Sequence, residues 1–241
     1  MLSEQNLSLL KESAEHYGLN IAPGQLEKFS KYAELLTEWN EKINLTAIID
    51  PEGIVIKHFS DSLSIMPLIP REAKTFIDIG TGAGFPGIPL KIMQDHLKVT
   101  LLDSLGKRVK FLNEVCEKLS LKGIESFHGR AEDYGTDKNY REKYDVASAR
   151  AVASLPVLLE YCLPFVKVGG LFIGMKGPDV KDEINESKKA LQVLGGELLE
   201  VKNFNLPNSD YERYVVLVKK CRHTPPSYPR KSGKPTKMPI K

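Results

Sequence analysis

The feature that most constrains this chain is a short apolar run, Phe76-Ile77-Asp78-Ile79, that ends in the glycine-rich turn Gly80-Thr81-Gly82-Ala83-Gly84-Phe85-Pro86-Gly87. A run of that length predicts a buried strand, and the glycines permit positive φ and a close approach of ligand to backbone. Strand, glycine turn and then helix is how a doubly wound α/β sheet builds a nucleotide site at the carboxyl ends of its strands.

The flanking sequence fits such a sheet. Short apolar segments at Thr75–Ile79, Val99–Leu102, Ile124–His128, Val146–Ala149 and Leu171–Met175 alternate with helical segments, the pattern of parallel strands joined by crossover helices. One helix is expected over Leu105–Leu119, with Val109, Leu112, Cys116 and Leu119 on its buried stripe, and another over Val180–Leu194. The runs Glu197–Phe204 and Tyr214–Val218 predict a closing antiparallel hairpin. Before the sheet, residues 1–70 read as a helical extension. Its first helix is capped by Ser3, its second begins near Pro23 and buries Leu26, Phe29, Ala33, Leu36 and Trp39, and its third starts at Asp50-Pro51 and runs toward Met66. The division expected is an extension over 1–70, a core over 71–221 and a tail over 222–241.

The net charge of +3 is unevenly distributed: the tail holds six Lys or Arg and no acid, so residues 1–221 carry −3. Five prolines predict that the tail is extended rather than helical, and its charge suggests a polyanionic partner. No run approaches the length of a membrane span, and the N-terminus lacks the pattern of a secretory signal, so a cytoplasmic location is expected; the chain is also expected to be a monomer. Cys116, Cys162 and Cys221 are too widely spaced for a zinc motif, and no metal is expected.

Gly82, Gly84 and Gly87 also match a dinucleotide fingerprint, with Asp103 about 20 residues on, so glycine spacing leaves two cofactors open. Asp78 argues between them. A carboxylate at the end of the first strand would repel a diphosphate, whereas S-adenosylmethionine (SAM) brings an ammonium and a sulfonium. Asp103 suits ribose hydroxyls in either case. The fourth strand lacks the Asn/Asp-Pro-Pro-aromatic motif of exocyclic amine methylation, and no Cys follows a Pro as attack on a pyrimidine ring would want. A ring nitrogen such as guanine N7 already has a lone pair and needs alignment rather than a general base. Methyl transfer to another RNA or to a protein, and an NAD-linked oxidoreductase, remain as alternatives.

Seven segments then carry a family likeness: Asn40–Thr46 (NEKINLT), His58–Ser62 (HFSDS), Asp78–Leu90, Asp103–Arg108 (DSLGKR), Gly129–Glu132 (GRAE), Ala149–Ala151 (ARA) and Arg230–Pro239 (RKSGKPTKMP). In this order the chain resembles the RsmG (GidB) methyltransferases, which methylate guanine N7 in 16S ribosomal RNA. The resemblance implies a class I SAM-methyltransferase fold, SAM as cofactor and 16S rRNA or the small ribosomal subunit as partner. It further implies that Gly80 and Phe85 line the cofactor pocket, that Ala131 and Glu132 hold the adenine end and that Arg150 lies beside the cofactor. Asn44, His58, Asp61, Lys176, Arg230, Lys231 and Lys237 are expected at the active-site mouth as RNA contacts. A structural role competes for each: Asn44 and Asp61 could satisfy backbone groups, and His58 could be a core histidine.

Overall fold

Ser3 begins the first helix, its hydroxyl accepting from the Asn6 amide at 3.2 Å. The computed structural model describes residues 1–178 and 180–241. After α1 (Glu4–His16), α2 (Pro23–Ile43) starts at its proline, buries Leu26, Phe29, Tyr32, Ala33, Leu35 and Leu36, and ends at Asn44 in the left-handed region, φ 48°. The third helix departs from a regular α-helix. Asp50 caps it by accepting from the Gly53 amide at 2.6 Å. It then runs as α3 (Pro51–Gly53), a π-helical stretch (Ile54–Ser60) and α4 (Asp61–Leu63). In an α-helix the Asp61 amide would bond the Lys57 carbonyl. Here it donates to the Ile56 and His58 carbonyls, and the Lys57 carbonyl accepts from Arg150 Nη1 at 2.9 Å.

The rest alternates as expected: β1 (Thr75–Ile79), α5 (Gly87–Met93), β2 (Lys98–Asp103), α6 (Gly106–Lys118), β3 (Ile124–His128), α7 (Ala131–Tyr134), β4 (Tyr144–Arg150), α8 (Leu155–Cys162) and β5 (Val166–Lys176). The helix expected over Val180–Leu194 is divided into α9 (Val180–Glu186) and α10 (Lys188–Leu194). At the break the Ser187 hydroxyl donates to the Glu183 carbonyl at 2.6 Å, a back-bond that bends helices. β6 (Gly196–Asn205) and β7 (Glu212–Lys220) form the hairpin. The seven strands order as β3-β2-β1-β4-β5-β7-β6; the first five are parallel, and β7 is antiparallel to both its neighbours.

Alternation along β1 sends Phe76 to one face and Ile77 and Ile79 to the other. On the Phe76 face, α5 and α6 pack against β1 to β3, and α1, α2, the π-helical stretch and α4 join the same apolar cluster against those helices, so the extension adds an outer part of the core. α8 and α10 cover the opposite face.

The tail corrects the extended segment that its composition predicts. Lys234–Lys237 forms a helical turn, α11, with Pro235 buried in its first turn, where a fixed φ suits a helix start. Arg230 is bound to Glu160 of α8, Nη2 to Oε2 at 2.6 Å and Nε to Oε1 at 2.9 Å. Glu160 is fully buried and needs a compensating charge. Arg141 ties down the approach, donating to the carbonyls of Thr224 at 2.6 Å and Tyr228 at 2.8 Å. The tail is too poor in apolar residues for a core of its own, and it docks on one already built.

Candidate active site

The turn between β1 and α5 is held from below by two acids. Asp78, fully buried, accepts from Thr81 Oγ1 at 2.7 Å and from the Gly87 amide at 2.9 Å. Burial pushes its carboxyl up to about 6 in spite of those bonds. Asp103, 2% exposed, accepts from the Gly82 amide at 2.8 Å and from the Leu105 amide at 2.9 Å, with Arg108 at 3.6 Å. Both acids thus shape the turn: Asp78 holds its start and its end, with Ser148 of β4 at 3.4 Å on its other oxygen, and Asp103 joins it to the start of α6. From above, α2 holds the turn through Tyr32, whose hydroxyl donates to the Ala83 carbonyl. Gly84 sits beneath it with φ 95°; a Cβ there would lie 2.5 Å from Ile88 Cδ1 and 2.6 Å from the Tyr32 hydroxyl.

Two cavities open at the carboxyl ends of the strands. The smaller, about 200 Å³, is lined by Gly80, Ala131, Glu132, Tyr161 and Thr236 among others. Glu132 Oε1 accepts from the Gly233 amide of the tail at 3.1 Å, and Oε2 makes no hydrogen bond to the described residues. That oxygen is free for a hydroxyl or amino donor. Within this cavity the Val152 side chain covers Gly80, where an added Cβ would lie 2.7 Å from Val152 Cγ2.

The larger cavity, about 380 Å³, lies between the segment Leu45–Ile48, the π-helical stretch, the glycine turn and the ends of β4 and β5. Arg150 organises it. Nη1 donates to Asp61 Oδ2 at 2.9 Å as well as to the Lys57 carbonyl, and Nη2 lies 3.2 Å from His58 Nδ1. The guanidinium is also 5.0 Å from the centre of the Phe85 ring, on which His58 stacks at 4.4 Å and 13°. Arginine can only donate, so His58 Nδ1 accepts and Nε2 carries the proton, which goes to Thr46 Oγ1 at 2.9 Å. Burial, and then the charge of Arg150, push the imidazole down to about 3, so the ring is neutral. Asp61 is 2% exposed and its second oxygen accepts from Arg213 Nε at 2.9 Å.

The structure thus brings together Phe85, His58, Asp61, Arg150 and Lys176 in one cavity, and Gly80, Ala131 and Glu132 in the other. Lys176 lines the larger cavity with its charge paired to Glu183 at 2.8 Å. Four residues expected at the mouth lie elsewhere. Asn44 terminates α2 and borders a separate groove with Lys107 and Arg108, because its left-handed backbone turns it away. Arg230 is engaged by Glu160, and Lys231 and Lys237 are exposed on the tail, which borders the smaller cavity through Thr236. Sequence reasoning missed Tyr32, Thr46 and Arg213. Tyr32 lies on the buried side of α2, three residues from Phe29, which was a usable signal; Arg213 enters from β7 with none.

The breadth of one match settles the relationship: the family model described as "GidB: rRNA small subunit methyltransferase G" covers residues 25–213. The chain belongs to the GidB family. Similar relatives extend the match through the tail. The ribosomal RNA small subunit methyltransferase G of Acetivibrio thermocellus is 58% identical over 99% of this chain and 100% of its own length. The protein of the same name from Alkaliphilus oremlandii is 52% identical over 97% and 98%. A SAM-dependent methyltransferase structure from Aquifex aeolicus superposes with a TM-score of 0.51 at 21% identity, over 70% of this chain and 93% of that one, a likeness of fold. Among the described residues of this GidB-family chain, no three His, Cys, Asp or Glu side chains converge as a metal site would require, and no helix is long and apolar enough to cross a membrane.

Proposed function

We propose that this chain transfers the methyl group of SAM to N7 of a guanine in 16S ribosomal RNA, working as a cytoplasmic monomer on the small ribosomal subunit or its RNA. The observation that carries this reading is that the proton-accepting groups of the larger cavity are already engaged. Asp61 is held between Arg150 and Arg213, and His58 accepts from Arg150 while its other nitrogen bears the proton. An exocyclic amine must lose a proton when it is methylated. Guanine N7 offers a lone pair and loses none, so positioning is sufficient.

SAM supplies an electrophilic methyl carbon on a sulfonium. Gly80, Phe85, Ala131, Glu132 and Arg150 would hold it: the open Oε2 of Glu132 suits a ribose or adenine donor, and Phe85 and Arg150 line the larger cavity. N7 of a paired guanine lies in the deep, narrow groove of A-form RNA, so the base must enter unpaired or flipped. Lys57, Lys176 and Arg213 around the larger cavity, with Lys231 and Lys237 on the tail, would attract the phosphate backbone.

The test is incorporation of labelled methyl from SAM into free 16S rRNA and intact small subunits from cells lacking the protein, with the product mapped. Label at a guanine N7 is the expected result. Label confined to protein, to a small molecule or to another RNA position would overturn the reading.

A further inference from the structure

Thr46 ends the motif Asn40–Thr46, and the positioning of Arg150, His58 and the glycine turn does not by itself explain why a hydroxyl stands there. Its surroundings fix what that hydroxyl can do. The Thr46 amide donates to Asn40 Oδ1 at 2.8 Å, which anchors the residue just beyond the end of α2. Oγ1 accepts twice, from His58 Nε2 at 2.9 Å and from the Ile48 amide at 3.0 Å. A hydroxyl oxygen has two acceptor sites, and both are filled. The remaining capacity is donation, and the O–H makes no hydrogen bond to the described residues, while Thr46 lines the larger cavity.

The direction of this chain of hydrogen bonds is set at its far end. Arg150 has no acceptor, so His58 Nδ1 must accept and Nε2 must donate, which leaves Thr46 only the donor role. His58 is 7% exposed, stacked on Phe85, with the guanidinium of Arg150 beside it and Lys57 and Arg213 nearby, so the ring does not pick up a proton and rotate the pattern. An amide or a second hydroxyl could reverse its polarity to suit a substrate. This one is held in a single sense by a residue that cannot reverse.

We infer that Thr46 is a specificity-determining residue that donates its hydroxyl proton to O6 of the target guanine. The inference rests on the guanine-N7 reading above. The edge of guanine that carries N7 presents O6 beside it as an acceptor, whereas adenine presents N7 beside an N6 amino donor. A fixed donor next to the methylated nitrogen pairs with guanine and meets adenine donor to donor, leaving both unsatisfied in a partly desolvated site. Mismatches of that kind discriminate more strongly than shape does. The same bond would hold the base from rotating in its plane and so keep N7 aligned.

The experiment uses the full-length protein and small subunits assembled around 16S rRNA ligated to carry either guanosine or 2-aminopurine riboside at the mapped target. 2-Aminopurine keeps N7 and lacks O6. Thr46→Val should lower kcat/KM on guanosine about 10- to 100-fold while SAM affinity, read by calorimetry, changes by less than about twofold; Thr46→Ser should restore most of the loss. On 2-aminopurine the wild-type protein should already be slowed by a similar factor, and Thr46→Val should add little. Equal proportional losses on both bases would overturn the inference, since they would assign Thr46 to supporting His58, as would a Thr46→Val protein as active as wild type on guanosine. Failure of the wild-type protein to methylate guanosine at N7 would instead remove the underlying reading, and the mapped product distinguishes that outcome from the others.

Discussion

The Tyr32 hydroxyl donates to the Ala83 carbonyl, joining the middle of α2 to the centre of the glycine turn, and the Tyr32 ring stacks on Phe85 at 5.2 Å. An N-terminal helix thereby sets the position of the cofactor loop. Tyr32→Phe keeps the ring and leaves a buried carbonyl without its donor, which should destabilise the protein by about 1 to 3 kcal/mol and weaken SAM binding. Thermal denaturation and a SAM titration check both. An unchanged SAM affinity would show that the turn keeps its shape without α2.

Asp61 bridges Arg150 and Arg213 across 152 residues of sequence from the latter. Asp61→Asn leaves two guanidiniums facing each other without the charge between them. Removing one partner of a buried ionic group costs about 3 kcal/mol or more, so the urea midpoint should fall, and methyl transfer should fall with it as Arg150 loses its anchor. A variant with wild-type stability would mean that solvent compensates the pair.

His58 should remain neutral, with the proton on Nε2, down to pH 5, which the nitrogen shifts of the imidazole in a ¹⁵N NMR titration report directly. Its folded pKa is depressed from 6.5 to about 3, so between those values the unfolded chain binds a proton that the folded chain does not. The stability it contributes is complete above about pH 6.5 and is lost as the pH falls toward 3. His58→Gln should therefore show a shallower fall in stability over that window. An imidazolium signal at pH 6 would contradict the hydrogen-bond order drawn from Arg150 to Thr46.

The tail basics should separate into two kinds. Arg230→Ala leaves the fully buried Glu160 unpaired and should cost about 3 to 5 kcal/mol, read as a lower melting temperature and greater protease sensitivity after residue 221. Lys231→Ala with Lys237→Ala should leave stability within about 0.5 kcal/mol and flatten the plot of log affinity for RNA against log salt by about 1.5. If Arg230→Ala alone changed the salt slope and not the stability, the Glu160 pairing would be a minor state.

What the sequence determined by itself is what short-range pattern encodes. β1 and β3 coincide with the runs read from apolar spacing, the remaining strands lengthen those runs by a few residues, and the glycine turn lies where the strand and helix patterns meet. Seven ordered motifs sufficed to indicate the family, because each is local. Tertiary structure decided everything that depends on a partner distant in the chain. Spacing puts Asp78 and Asp103 at strand ends; that their carboxylates hold the amides of the glycine turn and the start of α6 depends on which amides reach them, and only the tertiary structure shows that. The tail looked like a free basic arm because composition counts charge without showing that Glu160, buried on α8, takes up that of Arg230. Thr46 lay within a family motif that did not reveal its role, and Arg213 carried no local signal. Their roles come from hydrogen bonds across 12 and 152 residues, and arginines that can only donate set the polarity, Arg150 for the first through His58 and Arg213 itself for the second.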